Sequence, residues 1–233
     1  MAYEVHNPST FGEGPPLLLL HGLAGHQGEW DDLRALLLSD GHRVITYDAR
    51  GHGGSTRSPR DMSRAANVRD AVTVIRELAL APVVLVGQSL GGLTALLTAA
   101  AHPDLVGSLV LVEAGPGGPS PNLPSDIGSW LDRCPTPLSV DRDRMIAAVE
   151  ELATHDYWAE WSRVLCPTLV VRGGTGTMPE QEPGEMRRRR PGKETVTVTV
   201  PGAGHDVHLD QPGRLYDAMN RLSGSSGLGS SFG

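Results

Sequence analysis

The sequence of 233 residues is poor in aromatic residues, and it contains one lysine, Lys193, and two cysteines, Cys134 and Cys166. Aromatics make up 4% of the chain and the formal net charge is −7, so a nucleic-acid partner is not expected. The two cysteines do not have the number or spacing of a metal site. We expect both to be reduced, with one disulfide as the alternative. The four arginines at 187–190 are expected to form a solvated helix face.

Long apolar segments are also missing. Apolar runs such as the four leucines at 17–20 are far short of the roughly 20 residues of a membrane span. The first ten residues show neither a basic start nor an apolar stretch, so no signal peptide is predicted. These features predict a cytoplasmic protein without a membrane partner, and they leave its oligomeric state open.

Short runs of Val, Leu and Ile alternate with helix-like segments. Most of these runs are apolar at every position, which is expected when both faces of a strand are covered. The runs lie at 16–22, 43–51, 82–89, 107–115, 167–174 and 194–202. The last one alternates and is predicted to be an edge strand. The pattern predicts an α/β fold, a mostly parallel sheet flanked by helices on both faces, with ligands outside the carboxyl ends of the strands.

One interval interrupts this alternation. Residues 114–166 open with a Pro/Gly-rich stretch and continue with helix-compatible segments, which predicts a short helical lid. The core is then expected to comprise residues 1–113 and 167–222. Residues 223–233 form a Gly/Ser-rich segment that is predicted to be a flexible tail.

Ser89 lies between two glycines at the end of a predicted strand, in the segment GQSLG. The pattern G-x-S-x-G between a strand and a helix is typical of a nucleophile elbow, which presents the serine hydroxyl for attack. The helix that follows points free N–H groups towards the serine. We therefore predict that Ser89 is a nucleophile. The alternative is a tight turn that happens to carry a serine.

A serine nucleophile needs a base. The segment VPGAGHDVHLDQP places His205 directly after the last predicted strand, at the same sheet edge as Ser89. We predict His205 as this base, while His208 is expected to support the segment that follows. His21 and His52 lie in glycine-rich loops, where local hydrogen bonds are expected.

The loop HGLAG at 21–25 follows the first strong strand. We predict that the amides of Leu23 and Leu90 form an oxyanion hole, in which the loss of one donor typically lowers the rate about 100- to 1000-fold. The alternative is an ordinary glycine-rich loop between a strand and a helix.

The segments HGLAG, DARGHGGS, GQSLGG and PGAGHDVHLDQP occur in the order and spacing of the α/β-hydrolase superfamily. This resemblance covers residues 15–222 and is greatest to small-lid esterase and lactonase-like members. It implies a Ser–acid–His triad in that chain order, with a lid inserted after the strand that the superfamily counts as its sixth.

The triad acid departs from the usual pattern. In this superfamily it most often follows the next strand, in a pattern like G-x-x-D, but Gly176 stands where Asp is expected. Glu113 ends an apolar strand, where an unpartnered carboxylate is costly to bury, and some members place the acid there. We predict Glu113. The alternatives are Glu180 or Glu182, a Ser–His dyad, or a Glu113 that is exposed or paired with Arg172.

These residues predict a serine hydrolase that cleaves a small carboxylic ester or lactone through an acyl-enzyme on Ser89, with no cofactor or metal. Trp130, Trp158 and Trp161 in the lid are candidates for substrate contacts, or they pack the lid down. The same residues would also serve thioester or C–C bond hydrolysis, acyl transfer or peracid formation. A non-catalytic ligand-binding protein is a further alternative, supported only by the missing Asp.

Overall fold

The computed structural model describes residues 1–10, 12, 14–133 and 140–225, with backbone alone for 222–225. Seven strands form one sheet in the order β1-β3-β2-β4-β5-β6-β7. Their bounds are β1 Ala2–His6, β2 Leu17–Leu20, β3 Val44–Asp48, β4 Val83–Gln88, β5 Val106–Val112, β6 Thr168–Gly173 and β7 Thr195–Val200. The six runs read as strands in the sequence are β2 to β7, and β7 is at the edge as predicted.

β1 was not predicted from the sequence, because its residues do not form an apolar run. It pairs antiparallel with β3, whereas the other neighbouring strands of the sheet are parallel. The middle three residues of β1 are exposed, so this strand is held mainly by its backbone hydrogen bonds. β2 and β3 are buried at every position, as expected for central strands covered on both faces.

Helices cover both faces of the sheet. Their bounds are α1 Asp31–Ser39, α2 Arg64–Glu77, α3 Ser89–Ala101, α4 Leu123–Arg133, α5 Arg142–Ala147, α6 Trp158–Arg163, α7 Glu182–Arg188, α8 Val207–Asp210 and α9 Pro212–Ser225. One apolar cluster joins the sheet to α2, α3 and α6, and a second joins it to α1 and α9. Within the described ranges, no helix is long and apolar enough to cross a membrane.

The described part of the segment between β5 and β6 contains three short helices, α4, α5 and α6, and the 3-10 helix Glu150–Ala153. α6 packs against α3, which begins at Ser89. Residues 134–139, which include Cys134, lie outside the described residues. Of the predicted Gly/Ser tail at 223–233, residues 223–225 are the end of α9, and the rest lies outside the described residues.

Candidate active site

Ser89 lies where β4 ends and α3 begins, at the carboxyl edge of the parallel strands. Its φ of 50° is a left-handed conformation that residues other than glycine rarely adopt. Gly87 and Gly91 leave no space for a side chain, because a Cβ on either one would collide with neighbouring backbone. The sharp turn expected from G-x-S-x-G is therefore present, with a half-buried serine at its tip.

Glu113 follows β5 directly, and its side chain is fully buried. Oε1 accepts the N–H of Gly173 at 2.7 Å, and Oε2 accepts the N–H groups of Thr177 at 2.7 Å and Met178 at 3.0 Å. Burial favours the neutral acid, but His205 and these three amides hold the pKa of Glu113 below its usual value. Glu113 is therefore a buried carboxylate fixed by the loop after β6.

The His205 ring lies against this carboxylate. Its Nδ1 is 3.3 Å from Glu113 Oε2 and 2.8 Å from Thr177 Oγ1. Thr177 Oγ1 is itself 3.4 Å from Glu113 Oε2, so the hydroxyl lies beside both groups. The His205 side chain is 36% exposed, in contrast to its buried partner. The contact fits the predicted role of Glu113, and Thr177 is a further member of the site that the sequence did not indicate.

The loop after β2 is held by two histidine rings. The Nε2 of His52 accepts the N–H of Ala24 at 3.0 Å, while its Nδ1–H donates to the Arg50 carbonyl at 2.9 Å. His21 similarly accepts the Ala49 N–H at 3.0 Å. Each Nε2 thus accepts an N–H from 28 residues away, which joins two loops and goes beyond the local hydrogen bonds expected of both histidines. They fix Ala24, whose φ is 61°, in the loop that contains the predicted oxyanion-hole residue Leu23.

Both rings are held in the neutral form. Burial and the neighbouring His21 ring lower the pKa of His52 to about 4, and burial also lowers the pKa of His21. A neutral ring is required here, because each Nε2 must keep a lone pair for a backbone N–H. Among the described hydrogen bonds, none uses the amides of Leu23 or Leu90. Both amides therefore remain available as donors, as an oxyanion hole requires.

Gln88, the residue before Ser89, connects the serine turn to the histidine loop. It is 2% exposed, and its Nε2 donates to the His205 carbonyl and to Asp206 Oδ1, both at 3.2 Å. Its Oε1 lies against Gly22, where a Cβ would collide with it. Gln88 thus contacts the loops that follow β7 and β2. The motif placed Gln88 beside the nucleophile but did not indicate these contacts.

His208 lies away from the Glu113 carboxylate. It is 1% exposed, its ring centroid is 4.5 Å from that of Trp30, and its Nε2 is 3.7 Å from Glu29 Oε2. It therefore packs α8 against the 3-10 helix Gln27–Trp30, as expected of a supporting residue.

The alternative acids have other surroundings. Glu180 is exposed, and Glu182 Oε1 accepts the N–H of Gly117 at 2.9 Å. Arg172 donates its Nε–H to a backbone carbonyl at 3.0 Å rather than to Glu113. Glu113 is consequently the carboxylate that contacts His205.

Trp130, Trp158 and Trp161, in the segment between β5 and β6, have three different environments. Trp161 is fully buried and donates its indole N–H to the Met186 carbonyl at 2.8 Å. Trp158 packs under the Arg189 guanidinium, and Trp130 is 42% exposed on α4. The prediction that Trp161 contacts substrate is therefore wrong in this structure, because its ring and its donor are both used in packing α6 down.

The arginine run is not solvated throughout. Arg187, Arg188 and Arg189 are exposed, but Arg190 is 3% exposed and lies over the Trp161 ring, 4.3 Å from its centroid. Arg190 also donates to the Cys166 carbonyl at 2.8 Å. The expectation of a fully solvated face was wrong at this position, because the guanidinium finds both a π face and backbone acceptors there.

The segment between β5 and β6 contacts the candidate site directly. Met145 and Ala148, in α5 and just after it, form a small apolar cluster with Met62 of the core. Leu23 and Leu90, whose amides are the predicted oxyanion donors, pack against this cluster. The segment between β5 and β6 therefore contacts the loop after β2 and the start of α3. The described residues contain no group of three or more His, Cys, Asp or Glu side chains placed to hold a metal ion.

A family model described as the alpha/beta hydrolase family matches residues 17–218. The chain belongs to this family. The match extends from β2 to beyond β7 and includes Ser89, Glu113 and His205. The family resemblance and the mostly parallel α/β fold predicted from the sequence are therefore confirmed.

This α/β-hydrolase is similar to esterases and a lipase over most of their lengths. It is 32% identical to the sn-1-specific diacylglycerol lipase ABHD11 of Mus musculus, with 88% of this chain and 80% of the lipase aligned. It is 27% identical to esterase Rv0045c of Mycobacterium tuberculosis, with 89% and 82% aligned. A solved thermophilic esterase from Thermogutta terrifontis matches with a TM-score of 0.80 at 25% identity, covering 96% of this chain and 93% of that chain.

Proposed function

We propose that this protein hydrolyses a small carboxylic ester or lactone through an acyl-enzyme on Ser89. The observation that carries the proposal is the contact between His205 and the buried Glu113 carboxylate, with Nδ1 3.3 Å from Oε2, at the sheet edge where Ser89 directly follows β4. Ester hydrolysis is also the activity named for the esterase relatives.

In the first step, Ser89 Oγ attacks the ester carbonyl and His205 takes the proton on Nε2. The negative charge that develops on the carbonyl oxygen is held by the amides of Leu23 and Leu90. Glu113 keeps the proton of neutral His205 on Nδ1 and stabilises the imidazolium that forms, with Thr177 Oγ1 beside both groups. His205 then returns the proton to the leaving alcohol, and water repeats the sequence on the acyl-enzyme.

Residues 114–166 serve as a lid in this proposal. The support is the contact of α5 with the apolar cluster beside Leu23 and Leu90. Trp130, which is 42% exposed, and the partly buried Trp158 remain candidates for contacts with the substrate. The same residues would also serve thioester hydrolysis, C–C bond hydrolysis, acyl transfer and peracid formation. Activity assays with a substrate for each reaction distinguish these alternatives from ester hydrolysis.

The test is hydrolysis of p-nitrophenyl acetate and butyrate by wild type and Ser89→Ala, together with covalent labelling by a fluorophosphonate probe. We expect turnover and labelling that both require Ser89. Ser125→Ala is the matched control, because Ser125 is exposed on α4 and is expected to leave both unchanged. A wild type that is neither labelled nor active would favour the ligand-binding alternative. Labelling without ester turnover would favour a different reaction on the same nucleophile.

A further inference from the structure

The Thr177 hydroxyl makes the shorter of the two described contacts of His205 Nδ1. Its Oγ1 is 2.8 Å from Nδ1, whereas Glu113 Oε2 is 3.3 Å from the same nitrogen. N–H···O hydrogen bonds usually span about 2.7–3.2 Å, so only the contact with Thr177 lies within that range. A proton on Nδ1 therefore has its better acceptor in the hydroxyl and not in the carboxylate.

Backbone donors already occupy Glu113 Oε2. The N–H groups of Thr177 and Met178 donate to this oxygen at 2.7 and 3.0 Å. A carboxylate oxygen offers about two lone-pair sites, so neither the ring nor the hydroxyl makes a short bond to it. His205 Nδ1 and Thr177 Oγ1 lie farther away, at 3.3 and 3.4 Å. Glu113 therefore acts on these two groups mainly through its negative charge.

The direction of the Thr177 O–H decides which nitrogen of the His205 ring carries the proton. A hydroxyl donates one hydrogen and accepts at its lone pairs. If this hydrogen pointed at Nδ1, the neutral ring would carry its own proton on Nε2 and would not accept one from Ser89. The Glu113 carboxylate attracts the hydroxyl hydrogen, because it is negative and can only accept. Thr177 Oγ1 then presents a lone pair to Nδ1–H, and Nε2 is left free as the base.

We propose that Thr177 is a positioning residue through which Glu113 acts on His205. Nδ1–H donates to Thr177 Oγ1, and the hydroxyl hydrogen is directed at Glu113 Oε2. The inference rests on the proposed function, because it concerns the base of that reaction. When Nε2 takes the proton from Ser89, Thr177 keeps its own hydrogen, and the bond from Nδ1–H to Oγ1 strengthens because the ring is then positively charged. The positive ring and the carboxylate thus interact through the hydroxyl.

The first test removes the hydroxyl. Thr177→Val keeps the branched shape and the backbone N–H that donates to Glu113, and the position is exposed. We expect kcat for p-nitrophenyl butyrate to fall by about tenfold or more, with KM within about twofold, while Thr177→Ser stays within about threefold of wild type. Thr73→Val is the matched control, because Thr73 is an exposed threonine on α2. A normal kcat in Thr177→Val would overturn the proposal, as would a Thr177→Ser enzyme as slow as Thr177→Val.

A double-mutant cycle tests whether Glu113 acts through this hydroxyl. The loss in kcat caused by Glu113→Gln is expected to be about tenfold or more smaller in the Thr177→Val background than in the wild-type background. Independent losses in the two variants would show that Glu113 acts on His205 directly. That result would overturn the inference and leave the ester hydrolase standing. Thermal melts of each variant verify that it is folded.

A spectroscopic test is independent of turnover. Heteronuclear NMR of protein with isotope-labelled histidines, at about pH 9 where imidazoles are neutral, shows which ring nitrogen carries the proton. The His205 signals are identified by their absence in His205→Gln. Wild type and Thr177→Ser are expected to hold the proton on Nδ1, and Thr177→Val should shift part of the population to Nε2–H. Equal populations in all three would contradict the proposal. The expected pattern in a wild type that hydrolyses no ester would support the role of Thr177 and refute the proposed function.

Discussion

Gly176 leaves the space that the Glu113 carboxylate occupies. A Cβ added at Gly176 would collide with both oxygens of Glu113. Residue 176 is the position at which the superfamily pattern would place the triad Asp, so the two acid positions compete for one volume. The chain has a carboxylate at 113 and a hydrogen atom at 176, and the His205 ring contacts that carboxylate.

We predict that Glu113→Gln lowers kcat for p-nitrophenyl butyrate by about 1000-fold or more, because the amide cannot stabilise an imidazolium. The amide would also face three backbone N–H groups that now donate to the carboxylate. Steady-state kinetics measure the effect. Glu180→Gln, at an exposed carboxylate nearby, is expected to remain within about twofold of wild type. Near-normal activity of Glu113→Gln would show that the acid is elsewhere.

Moving the carboxylate from position 113 to position 176 tests whether the two side chains would occupy the same volume. Gly176→Asp alone should lose activity, since its side chain meets Glu113. The double variant Glu113→Gly/Gly176→Asp should recover at least tenfold over Glu113→Gly, because the new carboxylate enters the vacated space. Glycine suits position 113, where φ is 50°. Circular dichroism and the same ester assay provide the readout. A double variant no more active than Glu113→Gly would show that the volumes are not interchangeable.

The pH dependence of stability should reflect His52. Its folded pKa of about 4 lies below the unfolded value near 6.5, so the folded protein binds fewer protons between these values. The contribution of His52 is intact above the unfolded pKa and is lost as pH falls towards 4. Between pH 7 and pH 5 we expect it to reduce the free energy of unfolding by about 2 kcal/mol, with His21 acting in the same direction.

Urea unfolding of wild type and His52→Gln at pH 7 and pH 5 measures this contribution. The variant is expected to show a smaller difference between the two pH values, since glutamine does not titrate. His155→Gln, at an exposed histidine, should retain the wild-type difference. An unchanged difference in His52→Gln would mean that His52 titrates normally in the folded protein.

Gln88 is expected to position His205 relative to Ser89. Gln88→Met removes the two donors to the histidine loop while keeping a side chain of similar length. We predict a loss of about tenfold or more in kcat with little change in KM, because small displacements of catalytic groups lower the rate of the chemical step. Gln181→Met is the exposed control. A change confined to KM would instead indicate a role in substrate binding.

Gly91 is expected to tolerate no side chain. Its Cβ would collide with the backbone carbonyls of Leu20 and His21, where β2 ends and the next loop begins. Gly91→Ala should lower the free energy of unfolding by about 1–3 kcal/mol, as overpacking usually does. Gly118→Ala, at a glycine with open space, should be near neutral. Urea titration measures the free energy of unfolding of both variants. Equal stabilities of Gly91→Ala and Gly118→Ala would show that β2 can move aside.

Six strands and the motifs of the candidate site could be predicted because their signals are local. A continuous apolar run requires a covered strand, and G-x-S-x-G between a strand and a helix requires the turn that gives Ser89 its positive φ. His205 follows from its place directly after β7. β1 has no such signal, because most of its residues are exposed and its pairing is made by backbone atoms.

The sequence by itself therefore determined the family, the parallel sheet and the positions of Ser89 and His205, since each depends on a few neighbouring residues. Only the tertiary structure decided which groups meet. Glu113 and His205 are 92 residues apart in sequence, and Gln88 and His205 are 117 apart. The contact between Trp161 and Arg190 likewise joins segments that are distant in sequence. Local sequence patterns determine backbone geometry. The burial of a side chain and its charged partners depend on which distant segments the fold places next to it.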